Sequence, residues 1–291
     1  MSVNGLVVVD KEAGWTSHDV VARCRRIFGQ RRVGHAGTLD PDATGVLLVG
    51  LGRATRLLRF LTALPKTYTT DIVLGTTTST LDSSGEVTGT YDMAHVTPEL
   101  VRAAAATLTG EIEQVPPMVS AVKVGGRRLH ELARQGLEVE RAARPVTVYR
   151  FDIEPGPARP GVYRAEVECS SGTYVRALAH DLGTALGGGA HLANLRRTRI
   201  GSFGEAEARP LDHVDLDAVL TPAQAMRDLD HVAVEPPVAA SIRTGLPLDR
   251  VPLGAAGDGP WAMLDGRGNL LAVYEATGTD RIRPAVVLTG A

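Results

Sequence analysis

The sequence predicts an α+β fold built on a mixed, largely antiparallel central sheet, and three observations lead there. Strand-like and helix-like segments alternate irregularly along the 291 residues. Successive strand candidates are mostly joined by short glycine turns rather than by helical crossovers, which favours antiparallel neighbours. A content of 44% hydrophobic and 22% charged residues lies far from the composition of unfolded chains. The length suits one large domain with a small appendage.

The elements follow in order. Leu6 to Val9 is an apolar run that reads as a buried strand, it ends in Asp10-Lys11, and Gly14 closes the next turn. Ser17 is expected to cap a helix whose Val20, Val21, Cys24, Ile27 and Phe28 form one apolar stripe and which Gly29 stops. Residues 30–45 hold three glycines, a proline and two aspartates. That stretch is too broken for helix or strand and reads as a working loop. A strand at Val46 to Val49, a helix near Arg53 to Leu64 stopped by Pro65, and an alternating strand at Tyr68 to Leu74 come next. Thr97-Pro98 opens another helix, ended by Gly110.

Residues 119–145 form a distinct excursion: a strand, the Gly125-Gly126 turn and a short helix from Arg127 to Gln135. Its Lys123, Arg127, Arg128, Arg134, Arg141 and Arg144 suit either a phosphate backbone or a solvated surface. Strands around Pro145 to Ile153 and Val162 to Cys169 lead through Ser170-Ser171-Gly172 into a helix from Thr173 to Leu186, a triple glycine and a strand through Arg196. Residues 205–235, with eight acids against two arginines, are the candidate linker region. Beyond it a short helix and three strands, at Trp261 to Leu264, Leu270 to Glu275 and Arg281 to Leu288, read as a small β-rich domain. The expected division is a main domain over 1–230, with the basic insertion at about 120–145, and a second domain over 231–291.

Charge and cysteine content narrow the function. The formal net charge is −2, yet five arginines and no acid lie between Arg23 and Arg32, so segregated charge can still present a basic face to a polyanion. Cys24 and Cys169 make neither a disulfide framework nor a thiolate zinc site. The longest near-apolar stretch, Val46 to Leu51, is far short of a membrane span, and no leader pattern precedes it, so a cytoplasmic protein is expected.

Three constellations can carry chemistry. In Gly34-His35-Ala36-Gly37-Thr38-Leu39-Asp40-Pro41 the proline restricts Asp40 to extended conformations and fixes where its carboxylate points, although Asp before Pro also commonly caps a turn. In Ser171-Gly172-Thr173-Tyr174-Val175-Arg176 a cation lies in the first turn of a helix, where the dipole opposes it, so Arg176 needs an anionic partner; Asp40 would serve. In Lys66-Thr67-Tyr68, Tyr68 is either a stacking platform for a base or strand filler.

Together with Asp10-Lys11 and Gly14, with Ala43-Thr44-Gly45 and with Pro116-Pro117-Met118-Val119-Ser120-Ala121, these motifs resemble, in order over residues 3–200, the TruB family of tRNA pseudouridine synthases. The resemblance implies the pseudouridine synthase catalytic fold and isomerisation of uridine 55 in the T-loop of tRNA, by base flipping, without cofactor or metal. It implies Asp40 as the catalytic aspartate, Arg176 as its salt-bridge partner, Tyr68 stacked on the flipped base and Tyr174 handling the C5 proton. His35 matches the residue filling the space left by the flipped nucleotide, Leu195 the residue lining the base pocket, and Lys11 a support of the site. The insertion, with Arg127 and Arg128, matches the segment that closes on the T-arm, and residues 231–291 resemble a PUA-type module. A monomer with tRNA as partner, no evident protein partner and no membrane association is expected.

One departure concerns the first motif, usually Lys-Pro-x-Gly. Here Glu12 stands at the proline and Trp15 follows Gly14, which predicts a less rigid loop and a less firmly placed Lys11. Two rival readings are a non-catalytic RNA-binding or RNA-folding protein, and a metal-dependent hydrolase using His35, Asp40 and Asp42. Asp40 with Arg176 argues against the first, since a buried ion pair is a poor way to stabilise a fold. The lack of a second histidine at ligand spacing argues against the second.

Overall fold

In the computed structural model, residues 2–120, 123–124, 126–129, 132, 135, 137, 139–156 and 160–288 are described. Strand β1 (Gly5–Lys11) is followed by helix α1 (Ser17–Ile27). The cap of α1 is Thr16 rather than Ser17: Asp19 N donates to Thr16 Oγ1 at 3.1 Å and Thr16 N to Asp19 Oδ2 at 2.9 Å, a reciprocal pair that Thr16 can form and Ser17 cannot. The loop expected at 30–45 contains a short strand, β2 (Val33–Ala36), because the neighbouring β3 (Thr44–Leu51) supplies backbone partners the local sequence does not reveal. The helix expected from Arg53 starts as a 3₁₀ turn over Gly52–Leu57 and becomes α-helical only in α2 (Leu58–Ala63).

Strands β4 (Lys66–Leu74), β5 (Thr76–Thr78) and β6 (Val87–Thr90) come next, then α3 (Pro98–Thr107) and β7 (Gly110–Gln114). The β5–β6 hairpin was not expected, since its threonines carry no apolar alternation. In the insertion, β8 (Lys123–Val124) pairs with β9 (Arg127–Arg128), so the helix expected to begin at Arg127 does not begin there. Gly125, Arg134 and Gly136 lie outside the described residues. Strands β10 (Arg144–Pro155) and β11 (Val162–Cys169), helix α4 (Val175–Ala185) and β12 (Ala190–Ile200) follow. After β13 (Phe203–Gly204), the acidic stretch carries β14 (Arg209–Pro210) and the short α5 (Pro222–Ala225). Last come β15 (Asp230–Ala233), α6 (Pro236–Arg243), β16 (Leu248–Asp249), β17 (Trp261–Leu264), β18 (Leu270–Ala276) and β19 (Arg281–Val287).

These elements form two compact units. The first combines 1–41, 45–63 and 201–291. Within it β3 lies between β2 and β1, antiparallel to both, and the acidic stretch returns β14 parallel to β1. The α1 stripe of Val20, Val21 and Cys24 is buried with Val7, Val9, Leu47, Val49 and Leu51, giving about 1.5–3 kcal/mol for each large side chain removed from water. The C-terminal strands make a separate sheet, in the order β15-β17-β18-β19-β16, around Trp261, Met263, Tyr274 and Ile282.

The second unit holds 42–44 and 64–200. Its strands run β12-β4-β11-β10-β7, every pair antiparallel, with α4 packed on β12 and α3 on β10. Gly183 of α4 is required by this packing, because a Cβ there would lie 2.3 Å from the backbone nitrogen of Ala190. Among the described residues, no helix is long and apolar enough to cross a membrane.

Candidate active site

In the first unit, the residues on either side of Asp40 are tied down. Leu39 N donates to Ser17 Oγ at 2.9 Å, and Ser17 Oγ donates to Leu39 O at 3.2 Å. Pro41 O accepts from Lys11 Nζ and from Gly14 N, each at 2.9 Å. The Lys11 ammonium, 1% exposed, donates also to Glu12 O at 2.9 Å and Trp15 O at 2.7 Å. Three carbonyls thus converge on one buried ammonium. The expectation that Glu12 leaves Lys11 loosely placed is therefore not met: the loop is clamped by the ammonium and needs no proline. Asp40 itself is half-buried, with its backbone fixed from both sides.

His35 sits on β2, half-buried, and meets His18 of α1 edge-to-face, with ring centroids 5.4 Å apart and planes at 81°.

In the second unit, Tyr68 is a buried residue of β4. Tyr174 forms the N-cap of α4, and Gln114, 2% exposed, grips its backbone twice: Tyr174 N donates to Gln114 Oε1 at 2.7 Å and Gln114 Nε2 donates to Tyr174 O at 3.1 Å. Two residues on, Arg176 is 4% exposed. Its guanidinium donates to Thr80 O at 3.0 Å and Val119 O at 2.8 Å, and its Nε lies 3.6 Å from Asp82 Oδ2. The other carboxylate oxygen of Asp82 accepts from Thr80 Oγ1 at 2.6 Å, Ser84 Oγ at 2.5 Å and Ser84 N at 3.1 Å. Two carbonyls and a braced carboxylate thereby help fix one cation at a helix N-terminus, where the dipole alone would expel it.

Leu195 is half-buried on β12, next to a bulge between Ala193 and Arg196. There Asn194 takes a φ of 52° and donates to Asp71 Oδ2 at 2.7 Å, the local rotation that re-aims a strand side chain. Arg127 is exposed and donates to Gln135 Oε1 at 2.6 Å; the Arg128 side chain lies outside the described part of the structure.

The structure thus brings Lys11 to the loop of Asp40 within one unit, and holds Tyr68, Tyr174, Arg176 and Leu195 in the other. Sequence reasoning missed Ser17, Gln114 and Asp82. For Asp82 the signal was present in Ser79-Thr80-Leu81-Asp82-Ser83-Ser84-Gly85, a hydroxyl-rich turn around one acid that has no purpose in a plain hairpin.

Two family profiles match the chain: TruB family pseudouridylate synthase (N terminal domain) over residues 25–175, and the tRNA pseudouridylate synthase B C-terminal domain over 176–234. The chain is 49% identical over 295 residues to tRNA pseudouridine synthase B of Mycobacterium tuberculosis (strain ATCC 25618 / H37Rv), covering 98% of this chain and 95% of that one. It is 47% identical to the Mycobacteroides abscessus protein of the same name, over 99% of this chain and 97% of that one. Among solved structures it is similar to a chain of a Cbf5-Nop10-Gar1 complex, with a TM-score of 0.75 and 28% identity, over 98% of this chain and 84% of that one. A chain of an H/ACA RNP bound to a substrate RNA containing 2′-deoxyuridine matches with a TM-score of 0.73 and 26% identity, over 98% and 85%.

Proposed function

The chain belongs to the TruB family of pseudouridylate synthases and is a tRNA pseudouridine synthase, an isomerase, and from that premise we propose that it converts uridine 55 in the T-loop of tRNA to pseudouridine, with Asp40 as the catalytic carboxylate. The observation that carries the reading is the clamped Leu39-Asp40-Pro41 segment, where a buried serine and a buried lysine immobilise the backbone around one acid. A turn-capping aspartate needs no such support, whereas a group that must meet one atom of a substrate does.

The reaction moves a base from N1 to C5 of the same nucleotide, so no atom or electron is gained overall and no cofactor is needed. The uridine is flipped out of the RNA and stacked on Tyr68. The Asp40 carboxylate meets the positive charge that develops at C1′ as the N1–C1′ bond breaks, and Arg176 is the cation that keeps it ionised. The uracil turns, C5 bonds to C1′, and Tyr174 takes the C5 proton while N1 gains one. His35 fills the gap left by the flipped nucleotide, and Leu195 lines the base pocket. Arg127 and Arg128 hold phosphates of the T-arm. The catalytic domain spans 1–230, and 231–291 is a PUA-like second domain. The protein works in the cytoplasm as a monomer.

The test maps the product: unmodified tRNA is incubated with the protein, pseudouridines are derivatised with carbodiimide, and reverse transcription locates them. One modified site at position 55, absent from a tRNA with cytidine there, supports the reading. Modification elsewhere, or none, overturns it.

A further inference from the structure

Gln114, the last residue of β7, is buried on the strand face it shares with Gly110 and Ile112, while Glu111 and Glu113 between them are exposed. That alternation calls for an apolar residue at 114, and an amide buried there costs free energy unless it is hydrogen-bonded. Its two ends both go to one residue of another element: Tyr174 N donates to Gln114 Oε1 at 2.7 Å, and Gln114 Nε2 donates to Tyr174 O at 3.1 Å.

These bonds do not do the work of a helix cap. A capping side chain accepts from the second or third N–H of the helix, whereas Gln114 accepts from the N–H of the N-cap residue itself. Nor does Tyr174 O need a further donor, because Ala177 N at 3.0 Å and Leu178 N at 3.2 Å already reach it. Helices are capped best by Ser, Thr, Asp or Asn, and among the described residues the Tyr174 side chain makes no cap bond.

What the pair of bonds fixes is the two peptide planes on either side of the Tyr174 Cα. With the N–H of one plane and the C=O of the other held, the backbone is kept at φ −102° and ψ 105°, and with it the direction in which the side chain leaves the chain. The stretch that begins at Gln114 runs through Pro116-Pro117, whose rings fix φ, to Val119, whose carbonyl accepts from Arg176 at 2.8 Å. On the neighbouring strand, Thr147 of β10 holds the turn that leads into Tyr174: Ser170 N donates to Thr147 O at 2.8 Å and Thr147 N to Ser170 Oγ at 2.9 Å. The start of α4 is thus anchored to both β7 and β10.

We infer that Gln114 is a positioning residue for the step that removes the C5 proton, acting by aiming the Tyr174 phenol. The inference rests on the isomerisation and on the role of Tyr174 proposed above. Once C5 has bonded to C1′, that carbon carries both the sugar and its proton. The proton leaves to Tyr174 and N1 gains one, so the number of protons on the base is unchanged. Transfer needs donor and acceptor atoms about 2.6–3.2 Å apart. A misplacement of about 1 Å can cost about a hundredfold in rate. The phenol oxygen lies at the far end of a long side chain, so a small rotation at its Cα is magnified there.

The experiment measures single-turnover pseudouridine formation and tRNA affinity with the full chain, on tRNA carrying protium or deuterium at uracil C5. Wild type, Gln114→Met, Gln114→Glu and Tyr174→Phe are compared. Gln114→Met keeps the side-chain volume and loses both bonds, and should be slower by about tenfold to a hundredfold with tRNA affinity within twofold. Its C5 isotope effect should exceed that of the wild type, since the slowed step is the one that breaks the C5–H bond. Gln114→Glu keeps the acceptor for Tyr174 N and should fall between the two in rate and in isotope effect. A general loss of stability would not move the isotope effect. Gln114→Met as fast as wild type, or slow with an isotope effect no larger than that of the wild type, overturns the inference. If Gln114→Met does not fold, the isotope effect of Gln114→Glu against wild type decides in the same way. Tyr174→Phe as fast as wild type would instead overturn the role of Tyr174, and a wild type that forms no pseudouridine the underlying reading.

Discussion

Replacing Asp82 tests whether the support of Arg176 matters to the reaction. Its carboxylate accepts three hydrogen bonds on one oxygen, and the other oxygen lies 3.6 Å from the Arg176 guanidinium. Breaking a buried charge pair by removing one partner costs about 3–5 kcal/mol. Here the Asp82 side chain is 19% exposed and Arg176 keeps Thr80 O and Val119 O, so the lower end, about 3 kcal/mol, applies to Asp82→Ala. For a chain of this size that lowers the melting temperature by roughly 6–12 °C. Asp82→Asn keeps an acceptor for Thr80 and Ser84 and loses only the charge, so its stability cost is about 1 kcal/mol. The two variants thereby separate folding from chemistry. Asp82→Asn should still lower kcat by about a hundredfold, equivalent to about 2.7 kcal/mol of the barrier, with tRNA affinity unchanged. The assays are differential scanning fluorimetry and single-turnover pseudouridine formation. An Asp82→Asn protein within threefold of wild-type turnover would refute the argument that Asp82 orients Arg176 for the reaction.

Other outcomes follow from the same geometry. Lys11→Met takes the ammonium from Glu12 O and Trp15 O and leaves Pro41 O with Gly14 N, and should cost about 3 kcal/mol in urea unfolding; an undiminished midpoint would show that the Asp40 loop does not depend on this clamp. Lys66 is lowered from 10.5 to about 8 in the folded chain, so between those values the unfolded chain binds more protons and unfolding free energy rises with pH. Wild type should therefore gain stability relative to Lys66→Met from pH 8 to 10, as read by denaturation at several pH values, and a constant difference would contradict the burial of a charged amine. Arg127→Ala should weaken tRNA binding and reduce the slope of log Kd against log salt by about one phosphate; an unchanged slope removes Arg127 from the interface.

The parts of the fold legible in sequence were those with a strong local period. The β1 run, buried on both faces, the α1 stripe and the alternation of β4 were read from local pattern, and the structure agrees. Where stability comes from a distant partner, the local signal fails. Val33–Ala36 is a strand only because β3 lies beside it, and β14 forms in an acidic stretch because β1 offers an edge. Thr16 displaced Ser17 as the cap because Asp19, three residues on, returns a bond to the Thr16 backbone, which Val20 cannot do for Ser17. Asp40, Tyr68, Tyr174 and Arg176, the residues proposed for the site, are singled out by motifs. Gln114 gave no local sign, and the hydroxyl-rich turn that marks Asp82 does not name its partner, since the two act on residues 60 and 94 positions away. Ser17 went unrecognised for a related reason: a serine at a helix start is ordinarily read as a cap, while this one turns inward to Leu39.

The most direct test of the central claim is tritium release from tRNA labelled at uracil C5, with wild type and Asp40→Asn in parallel and tRNA binding measured for both. Release is expected from the wild type and none from Asp40→Asn, with affinities within a few-fold. Release by Asp40→Asn at the wild-type rate would contradict that claim.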